Sequence, residues 1–403
     1  MANERQLVDA RRRRLGHRAL AALFVADFMP NYAEYQLAPL AGQVMRAYGI
    51  DKVAFSALFT APLLMATPLA LVASALVDRR DPRRLMLAVL SVSAAGALVA
   101  WLAPTYPVLW LGFALMGCCL PFVVPTCVTV AAEYLGPGSV GLAVGLMFAA
   151  ASLSQALATA TSGLMPSLGV AHGVSLALYV AALAAFALLF RTPEGMGDGR
   201  GRGAGRAGGL AGFGASARSL VGERGFRALL VCLFLDMGVF VLVSSLVPTA
   251  LAEMGVPAVE AGAYAALFTL GNLAGCFLVP ALAGRVVGLR ASVAALAVPG
   301  ALAVALIRQA PAGPAVAMVL ALAGMLVGGL KPLLVSLAPR TGVARQGRGG
   351  MATSLAGMVQ SLGAVVLPTY LVLPLAGGDL GLSYLVGAGC VLACAALAPL
   401  LPE

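Results

Sequence analysis

Long apolar runs, each close to the ~20 residues that a helix needs to cross a bilayer, constrain this chain more than any other feature. Of its 403 residues, 61% are hydrophobic and 10% are charged, whereas soluble proteins carry about 25% charged residues. The runs are uninterrupted and do not alternate with polar residues, which favours helices over a barrel because a backbone in lipid must satisfy its own hydrogen bonds. The sequence therefore predicts an all-α membrane protein with twelve transmembrane helices. These cover residues 15–40, 53–77, 85–103, 107–132, 139–165, 170–190, 227–251, 258–283, 289–307, 314–338, 351–375 and 380–401.

The chain also contains an internal repeat. Residues 27–60 align without a gap to residues 236–269, with ten identities in 34 positions, among them the repeated Asp27 and Asp236. A second pair, 115–124 and 326–335, lies at nearly the same shift. Two halves in the same order predict two pseudo-symmetric six-helix bundles, an arrangement typical of transporters that rock one half against the other. The predicted domains are an N-terminal bundle at 1–190, a linker at 191–226 and a C-terminal bundle at 227–403.

Charge predicts the orientation of these helices. With a cytoplasmic N-terminus, 22 of the 26 Lys and Arg fall in cytoplasmic segments, so the positive-inside rule puts both termini in the cytoplasm. Only Arg46, Lys52 and Arg308 fall outside, and Lys331 lies within a helix. The 191–226 segment alternates Gly with Arg and Ala, which is typical of a flexible linker. Topology thus explains the net charge of +10 without nucleic acid, and we expect a monomer that contacts membrane lipids.

One loop carries a family motif. Residues 74–84 read Ser-Ala-Leu-Val-Asp-Arg-Arg-Asp-Pro-Arg-Arg. This resembles the loop after the second helix of the major facilitator superfamily, which has a small residue, Leu, Asp-Arg and a basic pair. The resemblance implies a cytoplasmic gating loop in which a carboxylate and arginines form a charge-assisted latch; an ordinary solvated loop is the alternative. The residues that match are Ser74, Asp78, Arg79, Arg83 and Arg84.

Within this superfamily, the chain resembles bacterial small-solute permeases of the cyanate-permease type. Two further motifs are missing: Phe113 stands where an Arg often precedes Gly117 by four residues, and 151–155 lacks the Gly-Pro motif of drug/proton antiporters. The resemblance implies that the first, fourth, seventh and tenth helices line a central cavity. Asp27 and Asp236 would then face that cavity from opposite halves.

Three ionisable residues lie inside predicted helices: Asp27, Asp236 and Lys331. Each costs about 2.5–3.5 kcal/mol at a helix centre on insertion scales, so each needs water or a partner. A carboxyl group in a partly dry cavity has its ionised form disfavoured, which suits proton loading and release. Lys331 would suit an anionic substrate. We therefore predict a proton and substrate site here; a structural ion-pair network is the alternative.

Other polar and aromatic residues are weaker candidates for lining a substrate path. Glu34 could equally be an interfacial residue, and the amides could equally join helices by hydrogen bonds. Phenylalanines in these helices could equally pack against lipid. The candidates are Asn31, Glu34, Phe28, Gln155, Phe240, Asn272 and Gln360.

These observations predict a secondary transporter in the cytoplasmic membrane that moves a small polar organic solute or anion by alternating access, coupled to protons. A proton-antiport efflux pump is the alternative within this class, and a membrane sensor or lipid scramblase is the alternative outside it. The chain shows no phosphate-binding loop, no metal-ligand spacing and no nucleophile-base pair within the helices. We therefore expect no cofactor, no metal and no enzymatic activity.

Overall fold

The computed structural model describes residues 2–136, 139–191, 218–286, 288–341 and 349–402. In these ranges it is helical and contains no β-strand, and eleven helices are long and apolar enough to cross a membrane. The predicted fold class, an all-helical membrane protein, is confirmed. The helices are α1 (Ala2–Tyr35), α2 (Leu37–Tyr48), α3 (Lys52–Phe59), α4 (Ala61–Arg79), α5 (Pro82–Trp101), α6 (Tyr106–Met116), α7 (Leu120–Tyr134), α8 (Val140–Ser162), α9 (Leu168–Leu189), α10 (Arg224–Glu253), α11 (Ala258–Val286), α12 (Leu289–Leu306), α13 (Pro314–Leu337), α14 (Gly349–Val366), α15 (Leu373–Leu375) and α16 (Leu380–Leu397).

α1 is not among the eleven candidate spans of the described ranges. Its membrane-length stretch carries Asp27, Asn31 and Glu34, and these polar residues lower its hydropathy. The predicted count of twelve helices and the cytoplasmic position of both termini therefore stay predictions.

Polar caps and turns set the helix ends. Asp51 caps α3 by accepting the backbone N–H of Ala54 at 2.8 Å, and Asp379 caps α16 by accepting that of Leu382 at 2.7 Å. Each cap satisfies an N–H that the helix leaves without an internal partner. α10 ends at Glu253, and the turn that follows contains Gly255, whose φ of 83° suits glycine. Short polar turns therefore separate long apolar helices.

The chain forms two compact units. Unit 1 comprises Met1–Gln36, Ala61–Ala158 and Met165–Gly205, and unit 2 comprises Leu37–Thr60, Thr159–Leu164 and Arg206–Glu403. The first two predicted helices are each interrupted, at Gln36 and Thr60, and the unit boundary falls at these interruptions. The predicted division of the chain at residues 190 and 227 concerns the sequence repeat and stays a prediction.

In unit 1, α1 packs against α7 and α9, and α5 packs against α6 and α9. Small residues on α1, such as Ala22 and Ala26, are fully buried against large side chains, including Phe122 and Phe186. The rings of Phe186 and Phe190 stack at 4.7 Å. The core of unit 1 thus surrounds the helix that carries Asp27.

In unit 2, α11 and α13 pack along most of their length, and α10 is surrounded by α2, α11, α13, α14 and α16. Glycines allow the close approach: a Cβ on Gly271 or Gly324 would strike the carbonyl oxygen of Ala321 or Phe268. Gly275 and Gly328 follow one turn later and are equally crowded. This spacing of small residues every fourth position is typical of close helix pairs in membranes. We call these four residues the glycine seam.

Candidate functional site

The first polar cluster lies in unit 1 around Asp27. Its side chain is 7% exposed, and the next turn of α1 presents Asn31. Asn31 donates from Nδ2 to the backbone oxygen of Asp27 at 2.8 Å and accepts from Gln155 Nε2 at 3.0 Å. Gln155 lies on α8, so this bond joins two helices. The predicted candidates Asp27, Asn31 and Gln155 are therefore neighbours.

Aromatic rings extend this cluster along α1. Phe24, Phe28 and Tyr32 form a ladder in which successive ring centroids are 6.3 Å apart. Ser154 donates a hydrogen bond to the backbone oxygen of Phe28, which is a second link between α1 and α8. The predicted candidate Phe28 thus lies one residue after Asp27 in a row of rings on the same helix.

The Asp27 carboxyl group is almost completely buried. It acts electrostatically on the thiols of Cys119 and Cys127. Among the residues that the structure describes, no Lys or Arg forms an ion pair with Asp27. The site can therefore hold a neutral carboxylic acid more readily than a carboxylate.

Glu34 is a second buried carboxyl group of unit 1, at 3% exposure. It acts electrostatically on Tyr179, whose hydroxyl donates to the backbone oxygen of Met116 at 3.2 Å. Just after the end of α1, Gln36 Nε2 donates to Ser175 Oγ of α9 at 2.5 Å. Glu34 therefore lies in a polar interior where α1 meets α9.

The second cluster lies in unit 2 around Asp236 of α10, which is 2% exposed. Its Oδ1 atom is buried and has no hydrogen-bond partner among the described residues. Lys331 of α13 is half-buried and acts electrostatically on the Asp236 carboxyl group. The structure therefore brings together two of the three ionisable residues predicted from the sequence.

The glycine seam positions the groups next to this pair. Gly328 packs directly on Asn272, so the predicted candidate Asn272 is wedged between α11 and α13. One turn further along α11, Cys276 donates from Sγ to the backbone oxygen of Gly328 at 3.3 Å. Both Lys331 and Asp236 act electrostatically on this thiol. Amide, thiol, ammonium and carboxyl groups thus converge in unit 2.

The two remaining candidates of unit 2 lie on α10 and α14. Phe240 stacks on Phe268 with ring centroids 5.5 Å apart, one turn of α10 beyond Asp236. Gln360 has a buried Nε2 without a hydrogen-bond partner among the described residues. That amide group is available to a ligand or to water.

The predicted gating loop is described in part. Ser74, Asp78 and Arg79 belong to α4, but their side chains lie outside the described residues, so the Asp78 latch stays a prediction. Arg84 Nε lies 3.8 Å from Asp81 Oδ2. Arg83 turns instead toward α9, where it donates from Nη2 to the backbone oxygen of Ala187 at 2.9 Å.

A charge cluster that the sequence analysis missed lies in unit 2. Lys52 Nζ is 2.7 Å from Glu253 Oε1 and 3.0 Å from the backbone oxygen of Gly378. Arg308 Nη2 is 3.7 Å from Glu253 Oε2. Charge could have indicated this cluster, because Lys52 and Arg308 are two of the three cations predicted on the outer side. Glu253 is the last residue of α10 and is predicted on the same side.

Comparison with known proteins agrees with this architecture. Buried ionisable groups inside a multi-pass helical protein are typical of substrate and proton pathways through membranes. The Major Facilitator Superfamily profile matches residues 20–368, and the chain belongs to this family.

Three solved structures share the fold. A bacterial homologue of the human lysosomal transporter Spinster is 16% identical with a TM-score of 0.69, covering 96% of this chain and 95% of that one. The E. coli fucose:proton symporter is 18% identical with a TM-score of 0.60, covering 94% and 97%. A nucleoside transporter is 12% identical with a TM-score of 0.76, covering 95% and 99%.

A curated relative matches a shorter stretch. The 3-(3-hydroxy-phenyl)propionate transporter of Escherichia coli (strain K12) is 29% identical over 118 residues, which is 29% of this chain and 29% of the relative. Membership of the family makes this chain a secondary transporter.

Proposed function

We propose that this transporter moves a small organic anion together with protons, and that the two repeated aspartates have different tasks. The observation that carries the proposal is the difference in their surroundings. Lys331 acts on Asp236, whereas Asp27 has no ion pair with a cation among the described residues.

Asp27 is proposed as the proton carrier. A carboxyl group that is 7% exposed gains little from ionisation, so protonation removes the cost of a buried charge. In the transport cycle, Asp27 takes up a proton where its surroundings are open to water on one side and releases it on the other. A proton that moves down a pH gradient of one unit releases about 1.4 kcal/mol, which is enough to accumulate a monovalent anion about tenfold without net movement of charge.

Lys331 is proposed as the anion-binding group and Asp236 as its partner when the site is empty. An ammonium group binds a carboxylate substrate through charge-assisted hydrogen bonds, and Asp236 keeps the ammonium compensated before the substrate arrives. Asn272 and Gln360 would add amide contacts. The limited likeness to a hydroxyphenylpropionate transporter supports aromatic carboxylates as the first substrates to test.

The test is uptake by purified protein in proteoliposomes. A panel of small aromatic and aliphatic carboxylates, with fucose and a nucleoside as neutral comparators, is offered under an imposed pH gradient, acidic outside. We expect accumulation of at least one carboxylate that collapses when a protonophore is added. The proposal fails if the transported solute is uncharged, or if uptake of the carboxylate ignores the gradient.

A further inference from the structure

We propose that unit 1 carries a binding site for the phosphate headgroup of an anionic phospholipid, formed by Arg83 and Arg191. These arginines line a surface cavity of about 480 Å³ together with Ala187 and Leu188. A cavity of this size is within the range of about 300–1,000 Å³ that small organic groups occupy. The proposal concerns a surface site and does not depend on the identity of the transported solute.

The position of this cavity along the membrane normal suits a lipid headgroup. Arg83 is the second residue of the candidate span Pro82–Trp101, and Arg191 follows the end of the span Leu168–Leu189 by two residues. Four candidate spans lie between Pro82 and Leu189. An even number of crossings returns the chain to the side on which it started, so the start of the first span and the end of the fourth are on the same side of the membrane. Both arginines therefore lie at the boundary between hydrocarbon and water, where basic pockets between helices bind lipid headgroups.

The described residues leave the charge of this cavity uncompensated. Arg83 donates from Nη2 to the backbone oxygen of Ala187, one of the carbonyl groups that the end of α9 leaves without a helical partner. Among the described residues, the buried Nε of Arg83 has no hydrogen-bond partner, and neither Arg83 nor Arg191 forms an ion pair. Five N–H groups in a planar fork suit the oxygens of a phosphate.

The wall of the cavity selects a lipid over a free anion. Leu188 is 74% exposed although it lies in the last turn of a candidate span. Its exposed apolar surface, directly beside the arginines, can contact an acyl chain that a soluble anion lacks. Tyr134 holds the backbone at this point by donating to the oxygen of Arg191 at 3.3 Å. A phosphate with attached acyl chains therefore satisfies both the guanidinium groups and the leucine.

Native mass spectrometry of the purified protein can measure this binding with phosphatidylglycerol, phosphatidylcholine and inorganic phosphate as separate probes. The wild type should bind one phosphatidylglycerol more tightly than phosphatidylcholine. The double variant Arg83→Gln/Arg191→Gln should lose roughly 25-fold in affinity, since a surface arginine contributes roughly fivefold each. Arg84→Gln is the matched control, because Arg84 is a neighbouring exposed arginine outside the cavity; its affinity should change less than twofold.

The single variant Arg191→Gln tests the site even if the double variant does not fold. Arg191→Gln alone preserves the Arg83–Ala187 bond, so it should fold normally and lose roughly fivefold even if the double variant is unstable. The basic N-terminal tail remains in every variant, so its contribution to lipid binding is constant. An unchanged preference for phosphatidylglycerol in Arg191→Gln and the double variant would overturn the proposal. Inorganic phosphate that binds as tightly as the lipid would also overturn it.

Discussion

Asp27 and Asp236 occupy matched positions of an internal repeat, yet their surroundings have diverged. The Asp27 cluster consists of neutral groups. They are the side-chain amides of Gln155 and Asn31, joined by a hydrogen bond, and a row of aromatic rings on α1. The Asp236 cluster contains the ammonium of Lys331 and a buried carboxyl oxygen without a hydrogen bond. A duplicated residue can therefore take up a second task when one neighbour changes, because a nearby half-buried cation alters which protonation state of a carboxyl group is stable.

The sharpest test of this comparison substitutes each aspartate by asparagine. Asp27→Asn removes the proposed proton carrier, so pH-gradient-driven accumulation should fall to the equilibrium level while downhill exchange persists. Asp236→Asn should retain coupling and chiefly weaken substrate binding, because it leaves Lys331 without its partner. Uptake and exchange are measured in the same proteoliposomes.

Glu260→Gln is the control for these variants, because Glu260 is an exposed carboxyl group of α11. It should transport like the wild type. Should both asparagine variants accumulate substrate normally, neither aspartate carries the proton and the comparison loses its functional meaning.

Lys331→Met should have the next largest effect. Loss of a charge-assisted hydrogen bond to an anionic substrate is expected to weaken its binding roughly 10-fold to 100-fold. Lys331→Arg keeps the charge and should retain part of the affinity. Equilibrium binding of the transported carboxylate to detergent-solubilised protein measures both, and an unchanged dissociation constant in Lys331→Met would exclude Lys331 from the substrate site.

Gly324→Ala tests whether the glycine seam sets the geometry of the Asp236 cluster. The new Cβ would strike the backbone oxygen of Phe268 and come within 3.1 Å of the Asn272 nitrogen, so α11 and α13 must separate. Overpacking of this kind costs about 1–3 kcal/mol, which thermal unfolding in detergent would register as a lower midpoint. Gly389→Ala, with no neighbouring atom within 4 Å, should keep or slightly raise the midpoint; equal midpoints for both variants would contradict close packing at the seam.

Gln155→Leu should have the smallest effect. A hydrogen bond between membrane helices contributes about 0.6 kcal/mol on average, so stability should fall by about that amount and accumulation should stay within roughly twofold. A double-mutant cycle with Asn31→Ala isolates the bond. A large loss of substrate affinity in Gln155→Leu would instead make the amide a ligand contact and give unit 1 a share of the substrate site.

Several of these features could be predicted from the sequence because they depend on local composition. Apolar runs indicated membrane helices, the repeat drew attention to Asp27 and Asp236, and Lys331 was conspicuous as a cation inside an apolar run. The electrostatic interaction between Lys331 and Asp236 could not be predicted from local composition, since it depends on how α10 and α13 pack. From the sequence, Lys331 and both aspartates were predicted to share one site, and nothing in it indicated which aspartate Lys331 approaches.

Other features depend on contacts between distant parts of the chain. Lys52 and Glu253 are 201 residues apart, and their ion pair has no local signal. The glycine seam has one, since Gly271, Gly275, Gly324 and Gly328 are spaced by four within each helix, but spacing alone does not identify which helices meet. The interruption at Gln36 was also missed, because the apolar sequence resumes at Leu37.

The interruptions at Gln36 and Thr60 separate a segment of the first repeat that packs with the second. Leu37–Thr60 comes from the first sequence repeat but belongs to unit 2, where α2 packs against α10. A second repeat expressed alone would leave that face of α10 uncovered. The second repeat is therefore not self-sufficient, because a segment that precedes it in the chain completes its packing.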